Sequence, residues 1–78
     1  MQTITRVAVL EHVLANGGRL EQSRSNQFHY EAIDEETGAR FTVWVNAVRS
    51  LERRGRLEIS ETTDLVVTYR LKPSSTKP

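Results

Sequence analysis

The spacing of apolar residues changes three times along this chain, and that succession restricts the folds it can adopt. Between Val7 and Leu14, and again between Trp44 and Leu51, apolar residues recur every three or four positions, which predicts two amphipathic helices. The segments between and after these helices alternate apolar with polar residues, as half-buried strands do. A chain of 78 residues is long enough for one domain. The sequence therefore predicts a single α+β domain.

Glycine marks the ends of both predicted helices. Thr3 continues the apolar stripe of the first helix toward its start and can cap it. The segment Asn16-Gly17-Gly18 ends this helix and Gly55 ends the second, because glycine tolerates the left-handed conformation that a helix C-terminus often requires. The second helix is predicted at residues 44–54, with Trp44 on its buried stripe.

The alternating segments predict three strands between the helices and a hairpin after them. The predicted strands are residues 19–22, 27–34, 39–43, 57–60 and 65–71. The second and third form a hairpin through an acidic turn, and the last two form another. The element order is thus α-β-β-β-α-β-β, in a single domain of residues 1–72. Residues 73–78, which contain two prolines and two serines, are predicted to be a flexible tail.

Composition argues against several classes of protein. The chain has no cysteine, which excludes a disulfide scaffold and a thiolate metal site. His12 and His29 lie on different elements without a carboxylate at ligand spacing, and no arrangement of serine, histidine and aspartate suggests a nucleophile. We therefore expect no metal, no cofactor, no small-molecule substrate and no catalysis.

Targeting signals are not apparent in the sequence. The first residues lack the basic segment and apolar run of a signal peptide, and no apolar stretch approaches the roughly 18 residues that span a membrane. The sequence predicts a cytoplasmic protein that does not enter a membrane.

The net charge of +1 conceals two oppositely charged segments. Residues 31–36 contain four acidic side chains and no basic one, whereas residues 40–56 carry a charge of +4. The near-neutral total argues against a protein that binds nucleic acid through bulk charge alone. Each segment is a candidate binding surface of its own.

The second predicted helix has the chemistry of a DNA-reading helix. Asparagine can bond N6 and N7 of adenine, and arginine can bond O6 and N7 of guanine. A helix followed by a hairpin is also the order of winged-helix domains, in which the helix enters the major groove and the hairpin, or wing, lies against the duplex. The candidate DNA-binding residues are Asn46, Arg49, Ser50, Arg53, Arg54, Arg56, Arg70 and Lys72. Lys77 is a further candidate phosphate contact. The alternative to a DNA-reading helix is that the outer face of this helix is an ordinary solvated surface.

The acidic hairpin supports a different interpretation. Its candidate protein-binding residues are Glu31, Asp34, Glu35 and Glu36. They can mimic the charge of phosphates or dock on a basic patch of a protein partner. The alternative is that they keep a turn soluble and prevent exposed strand edges from pairing. A homodimer is compatible with either function, because winged-helix proteins often pair to span two half-sites.

Three stretches resemble a group of small bacterial and phage winged-helix-like proteins. They are residues 13–20 with the Asn-Gly-Gly-Arg-Leu step, residues 47–57 with Leu-Glu-Arg-Arg-Gly-Arg-Leu, and Tyr-Arg-Leu at 69–71. In that group a hairpin replaces the usual middle helix. The chain is similar in this way to the YjhX-type toxin family, described as inhibitors of bacterial topoisomerase I. The resemblance implies a winged-helix-like fold with either DNA binding, as in a transcription regulator, or inhibition of a host enzyme.

Overall fold

The computed structural model describes residues 2–72 of the chain. In chain order its helices and strands are β1 (Gln2–Ile4), α1 (Val7–Ala15), β2 (Arg19–Ser23), β3 (Tyr30–Ile33), β4 (Arg40–Val43), α2 (Val45–Arg53), β5 (Leu57–Thr62) and β6 (Val66–Leu71). The predicted tail at residues 73–78, with Lys77, lies outside the described residues. Both predicted helices and both hairpins are present, so the prediction of an α+β domain is confirmed.

The six strands form one mixed sheet in the order β1-β4-β3-β2-β6-β5. Among the described strands, β1 runs parallel to β4, and the other neighbouring pairs are antiparallel. Short connections join β2 to β3, β3 to β4, and β5 to β6, as antiparallel neighbours allow. The pairing of β2 with β6 brings the two hairpins into a single sheet.

The N-terminal strand β1 is an element that the sequence did not predict. Thr3 lies in this strand and does not cap α1, whose flanking residue is Arg6. Ile4 is buried in the core, and its carbonyl accepts a hydrogen bond from the amide of Trp44 at 3.0 Å. The assignment of Thr3 to the first helix was therefore wrong, and the observed order is β-α-β-β-β-α-β-β.

Both helices pack on one face of the sheet, which we call the helix-covered face. The pairing register places Leu20, Ala32 and Tyr69 side by side on this face. The core that these strands form with the helices consists of Ile4, Leu10, Leu14, Leu20, Tyr30, Ala32, Val43, Ala47, Val48 and Leu51. Burial of each large apolar side chain contributes roughly 1.5–3 kcal/mol. The other face, which we call the open face, carries charged side chains that include Glu21 and Glu31.

The glycines that follow the helices end them as predicted. Gly17 and Gly55 have φ angles of 92° and 68°, in the left-handed region that residues with a side chain avoid. α1 therefore ends at Ala15 and α2 at Arg53. Neither helix within the described residues has the length or the apolar character needed to cross a membrane.

Two aromatic residues that the sequence places on regular elements lie just outside them. Trp44 flanks α2, and its extended backbone, with φ −66° and ψ 137°, turns it away from the helical stripe. Phe28 precedes β3, which begins at Tyr30. Both side chains are 56% exposed. The prediction of Trp44 as a core residue was wrong, because the helix begins one residue later than its apolar spacing suggests.

Candidate nucleic-acid interface

The outer face of α2 brings three of the predicted DNA-binding residues together. The helix buries one side in the core, and at about 3.6 residues per turn the opposite side is formed by Asn46, Arg49 and Arg53. All three are exposed. Ser50 is half-buried beside them, and Arg54 is exposed directly after the helix.

The arginines of the chain divide into those with a partner and those without. All nine lie within residues 2–72. Four form ion pairs with glutamates, and these are Arg19, Arg40, Arg56 and Arg70. Arg24 donates to the carbonyl of Thr63. Within the described residues, neither a side-chain hydrogen bond nor an ion pair involves Arg6, Arg49, Arg53 or Arg54. Three of these four belong to α2 or follow it, so this helix carries a cationic surface that remains open to a ligand.

Arg56, a predicted DNA contact, already has partners inside the fold. Its Nη1 lies 2.8 Å from Glu11 Oε2, and its Nε donates to the carbonyl of Lys72 at 3.3 Å. These contacts tie α1 to the start of β5 and the end of β6. We therefore expect Arg56 to position these elements rather than to bind phosphate. The side chain of Lys72 is exposed.

Arg70, another predicted DNA contact, lies on the open face and away from α2. Glu35 Oε1 forms ion pairs with Arg70 Nη2 and with Arg19 Nη1, each at an N–O distance of 3.1 Å. Arg70 Nη1 also donates to the carbonyl of Gly17 at 2.8 Å. The structure therefore does not bring Arg70 to the surface that Arg49 shares with its neighbours on α2.

The predicted acidic surface is largely engaged within the fold. Glu31 Oε1 pairs with Arg40 Nη1 at 2.8 Å on the open face. Asp34 Oδ1 accepts the amide of Glu36 at 2.9 Å, which stabilises the turn between β3 and β4. With Glu35 also ion-paired, only part of the negative charge of this hairpin is available to a partner.

The hairpin of β5 and β6, which we call the wing, turns Glu58 and Glu61 away from the helix-covered face. Ile59 pairs with Tyr69 on the helix-covered face, and a β-bulge follows in β5. Unbroken alternation would place Glu61 on the same side as Ile59, but the extra residue moves it to the open face. The side of the wing that faces the same way as α2 presents Ile59 and Thr62. Glu58 and Glu61 lie on the other side.

Two tyrosines lie beside α2 on the helix-covered face. Tyr69 Oη donates to Gln22 Oε1 at 3.0 Å. Burial is the largest of the causes that raise the pKa of both Tyr30 and Tyr69 above its ordinary value of 10.0, and the negative charge of Glu52 also raises it. The positive charge of Arg49 acts on the pKa of Tyr30 in the opposite direction and lowers it.

We expect the raised pKa values of these tyrosines to make the protein less stable at alkaline pH. The folded protein binds the phenolic protons more tightly than the unfolded chain does. This contribution to the free energy of unfolding is present below the unfolded pKa of about 10 and is lost as the pH rises toward the folded pKa. Urea unfolding followed by circular dichroism between about pH 8 and 11 measures the loss. With Tyr30→Phe, the free energy of unfolding should fall less steeply with pH above pH 10. An unchanged slope would contradict the assignment of this pH dependence to Tyr30.

Comparisons with known proteins give no indication of the function of this chain. Searches against family models, curated proteins and solved structures find no match to this chain. Within residues 2–72 no group of three or more histidine, cysteine, aspartate or glutamate side chains is placed to hold a metal ion. The candidate interface is the outer face of α2, with Asn46, Arg49 and Arg53 on it and Arg54 at its end.

Proposed function

We propose that this protein is a small winged-helix-like DNA-binding module in which α2 reads duplex DNA. The observation that carries the proposal is the position of Asn46, Arg49 and Arg53, which share one exposed face. Neither arginine has an ion pair within the described residues. Such cations can bind phosphates and release counterions without first breaking an internal ion pair.

The dimensions of α2 suit the major groove. Its nine residues make a helix about 13 Å long, and a helix with its side chains fits a groove about 12 Å wide. Because the apolar side of α2 is buried in the core, only its outer face can meet base edges. Asn46 has the donor and acceptor for adenine, and Arg49 and Arg53 have the paired donors for guanine. Arg54 is placed at the helix end for a phosphate.

The position of the wing supports the winged-helix-like assignment. The wing follows α2 directly in the chain, and the hairpin of β3 and β4 takes the place of a middle helix. The bulge in β5 keeps Glu61 off the side that carries α2, so a duplex bound there does not meet this carboxylate. A module of this kind suits a transcription regulator, of the bacterial or phage type that the sequence resembles.

Inhibition of a host enzyme through the acidic hairpin is the alternative function, and it has less support. Glu31 and Glu35 would have to exchange their arginine partners for those of another protein. Such an exchange gains little net electrostatic energy, since one ion pair replaces another.

A salt series with duplex DNA tests the proposed function. The change in anisotropy of a labelled duplex of about 20 base pairs reports binding. We expect the logarithm of the affinity to fall linearly with the logarithm of the salt concentration, with a slope of about −3. The reason is that three cations, Arg49, Arg53 and Arg54, would lie against the duplex and displace its counterions, whether each bonds a base edge or a phosphate. No binding at low salt, or binding that is insensitive to salt, would contradict the proposal.

A further inference from the structure

Five exposed side chains line one end of the sheet, which we call the aromatic row. In order across the sheet the row consists of Arg6 after β1, Trp44 after β4, Phe28 before β3, Arg24 after β2 and Leu65 before β6. The directions of these five strands place all five residues at the same end. With neighbouring strands about 4.8 Å apart, the row spans about 19 Å.

Backbone hydrogen bonds hold the members of the aromatic row in place. The amide of Trp44 donates to the carbonyl of Ile4 at 3.0 Å, which joins it to the segment that contains Arg6. The amide of Arg24 donates to the carbonyl of Leu65, also at 3.0 Å. The row is therefore a fixed arrangement across adjoining strands rather than a set of unrelated loops.

The apolar members of the aromatic row are unusually exposed. Trp44 and Phe28 are each 56% exposed, and Leu65 is 78% exposed. Large aromatic side chains normally bury most of their surface, and leaving two of them in water forgoes a substantial hydrophobic contribution. A single exposed apolar residue is ordinary, but three along one end of a small sheet suggest a contact surface.

The charges beside the aromatic row are mainly positive. Neither an ion pair nor a side-chain hydrogen bond involves Arg6 within residues 2–72, and Arg24 Nη1 donates to the carbonyl of Thr63 rather than to a carboxylate. Asp64 is the acidic residue of the adjoining wing tip. The acidic turn between β3 and β4 lies at the opposite end of the sheet, where Glu35 is ion-paired. The row therefore complements a negatively charged partner that has flat apolar groups.

We infer that the aromatic row binds single-stranded nucleic acid. Unpaired bases would stack on Trp44 and Phe28, while Arg6 and Arg24 would contact the phosphates on either side. Stacked bases and a negative backbone are the features that an aromatic surface flanked by arginines recognises, and stacking does not depend on base identity. The row shares no residue with the outer face of α2, although Trp44 directly precedes this helix, and the inference does not depend on duplex binding.

The intrinsic fluorescence of Trp44 provides a direct test, because it is the one tryptophan in the chain. An oligothymidylate strand of about 12 nucleotides, within the range that small single-strand-binding domains occupy, is titrated into the full chain. We expect saturable quenching that weakens as salt is added. Phe28→Ala should reduce the affinity by about 5- to 150-fold, which corresponds to about 1–3 kcal/mol for one stacked base. Arg6→Gln should reduce both the affinity and its salt dependence.

Matched variants outside the aromatic row serve as controls. Ile59 is 63% exposed and Arg40 is also exposed, at the opposite end of the sheet, so Ile59→Ala and Arg40→Gln remove similar groups from other surfaces. Both should leave the affinity for the single strand within about twofold of the original. Thermal unfolding of each variant checks that it is folded, which we expect because the substituted side chains are exposed.

Several outcomes would overturn the inference. Absence of quenching would do so, as would equal losses of affinity in Phe28→Ala and Ile59→Ala. A change in Trp44 emission with anionic lipid vesicles, or with protein concentration alone, and no response to the oligonucleotide would assign the row to a membrane or to a second copy. A parallel titration with duplex separates the two proposals: if duplex binds and the single strand does not, only this inference fails.

Discussion

Replacing Gly18 with alanine is expected to destabilise the domain by about 3 kcal/mol or more. A Cβ atom at this position would lie 2.6 Å from the carbonyl oxygen of Val13 and 2.8 Å from that of Ile33. Both are backbone atoms, so neither can rotate away as a side chain would. Relief of the overlap requires the end of α1 to separate from β3, which would disturb the pairing of Arg19 with Ile33. A domain this small has a stability of only about 5–15 kcal/mol, so the loss would be a large fraction of it.

Thermal unfolding measures this effect, and the neighbouring glycine supplies the control. We expect Gly18→Ala to lower the melting temperature by roughly 12–24 °C, at about 4–8 °C per kcal/mol for a domain of this size. At Gly17 an added Cβ meets open space, but its φ of 92° strains any residue with a side chain. Gly17→Ala should therefore cost only about 1–2 kcal/mol. If Gly17→Ala is the more damaging change, the close approach at Gly18 does not govern stability.

The two glycines illustrate which parts of this fold can be predicted from sequence. The left-handed conformation of Gly17 follows from local chain chemistry, since it comes directly after a periodic apolar segment. The tight packing of Gly18 depends on the carbonyl of Ile33, which is brought there by strand pairing. Local patterns predict helices, turns and hairpins, whereas contacts between distant segments depend on how those elements assemble.

β1 was missed for a related reason. Thr3 stands four residues before Val7, a spacing that a helical stripe and a short strand share by coincidence. A strand of three residues offers too few positions to establish alternation. Its identity comes from parallel pairing with β4, which local periodicity cannot reveal.

The candidate interface was predicted only in part. The exposure of its residues follows from the sequence, whereas the ion pairs of the other arginines do not. The exposure of Asn46, Arg49 and Arg53 follows from the helical period, because residues opposite a buried stripe face solvent. The pairing of Arg56 with Glu11 joins residues far apart in sequence, so periodicity gave no sign of it. The pairing of Arg70 with Glu35 also joins residues far apart in sequence, so periodicity could not predict it. The arginines of α2 stand out only after the partners of the others are known.

The double substitution Arg49→Gln and Arg53→Gln is expected to reduce affinity for duplex DNA by roughly 30-fold or more. Each arginine that makes a bidentate contact to guanine contributes about 1–3 kcal/mol, so the pair should cost at least about 2 kcal/mol. The salt slope should also become less steep by about 1 for each phosphate contact that is lost. Both side chains are exposed, so the melting temperature should change little. Anisotropy titrations with several duplex sequences measure the effect.

A second double variant distinguishes a reading helix from general attraction between charges. Arg40→Gln with Arg70→Gln removes the same formal charge, but both arginines lie on the open face and pair with glutamates. If α2 contacts the bases, this variant should bind nearly as tightly as the original protein and keep its preference among sequences. Equal losses in the two variants would mean that net charge controls binding. A loss in the α2 variant that is uniform across sequences would indicate that Arg49 and Arg53 contact phosphates rather than bases.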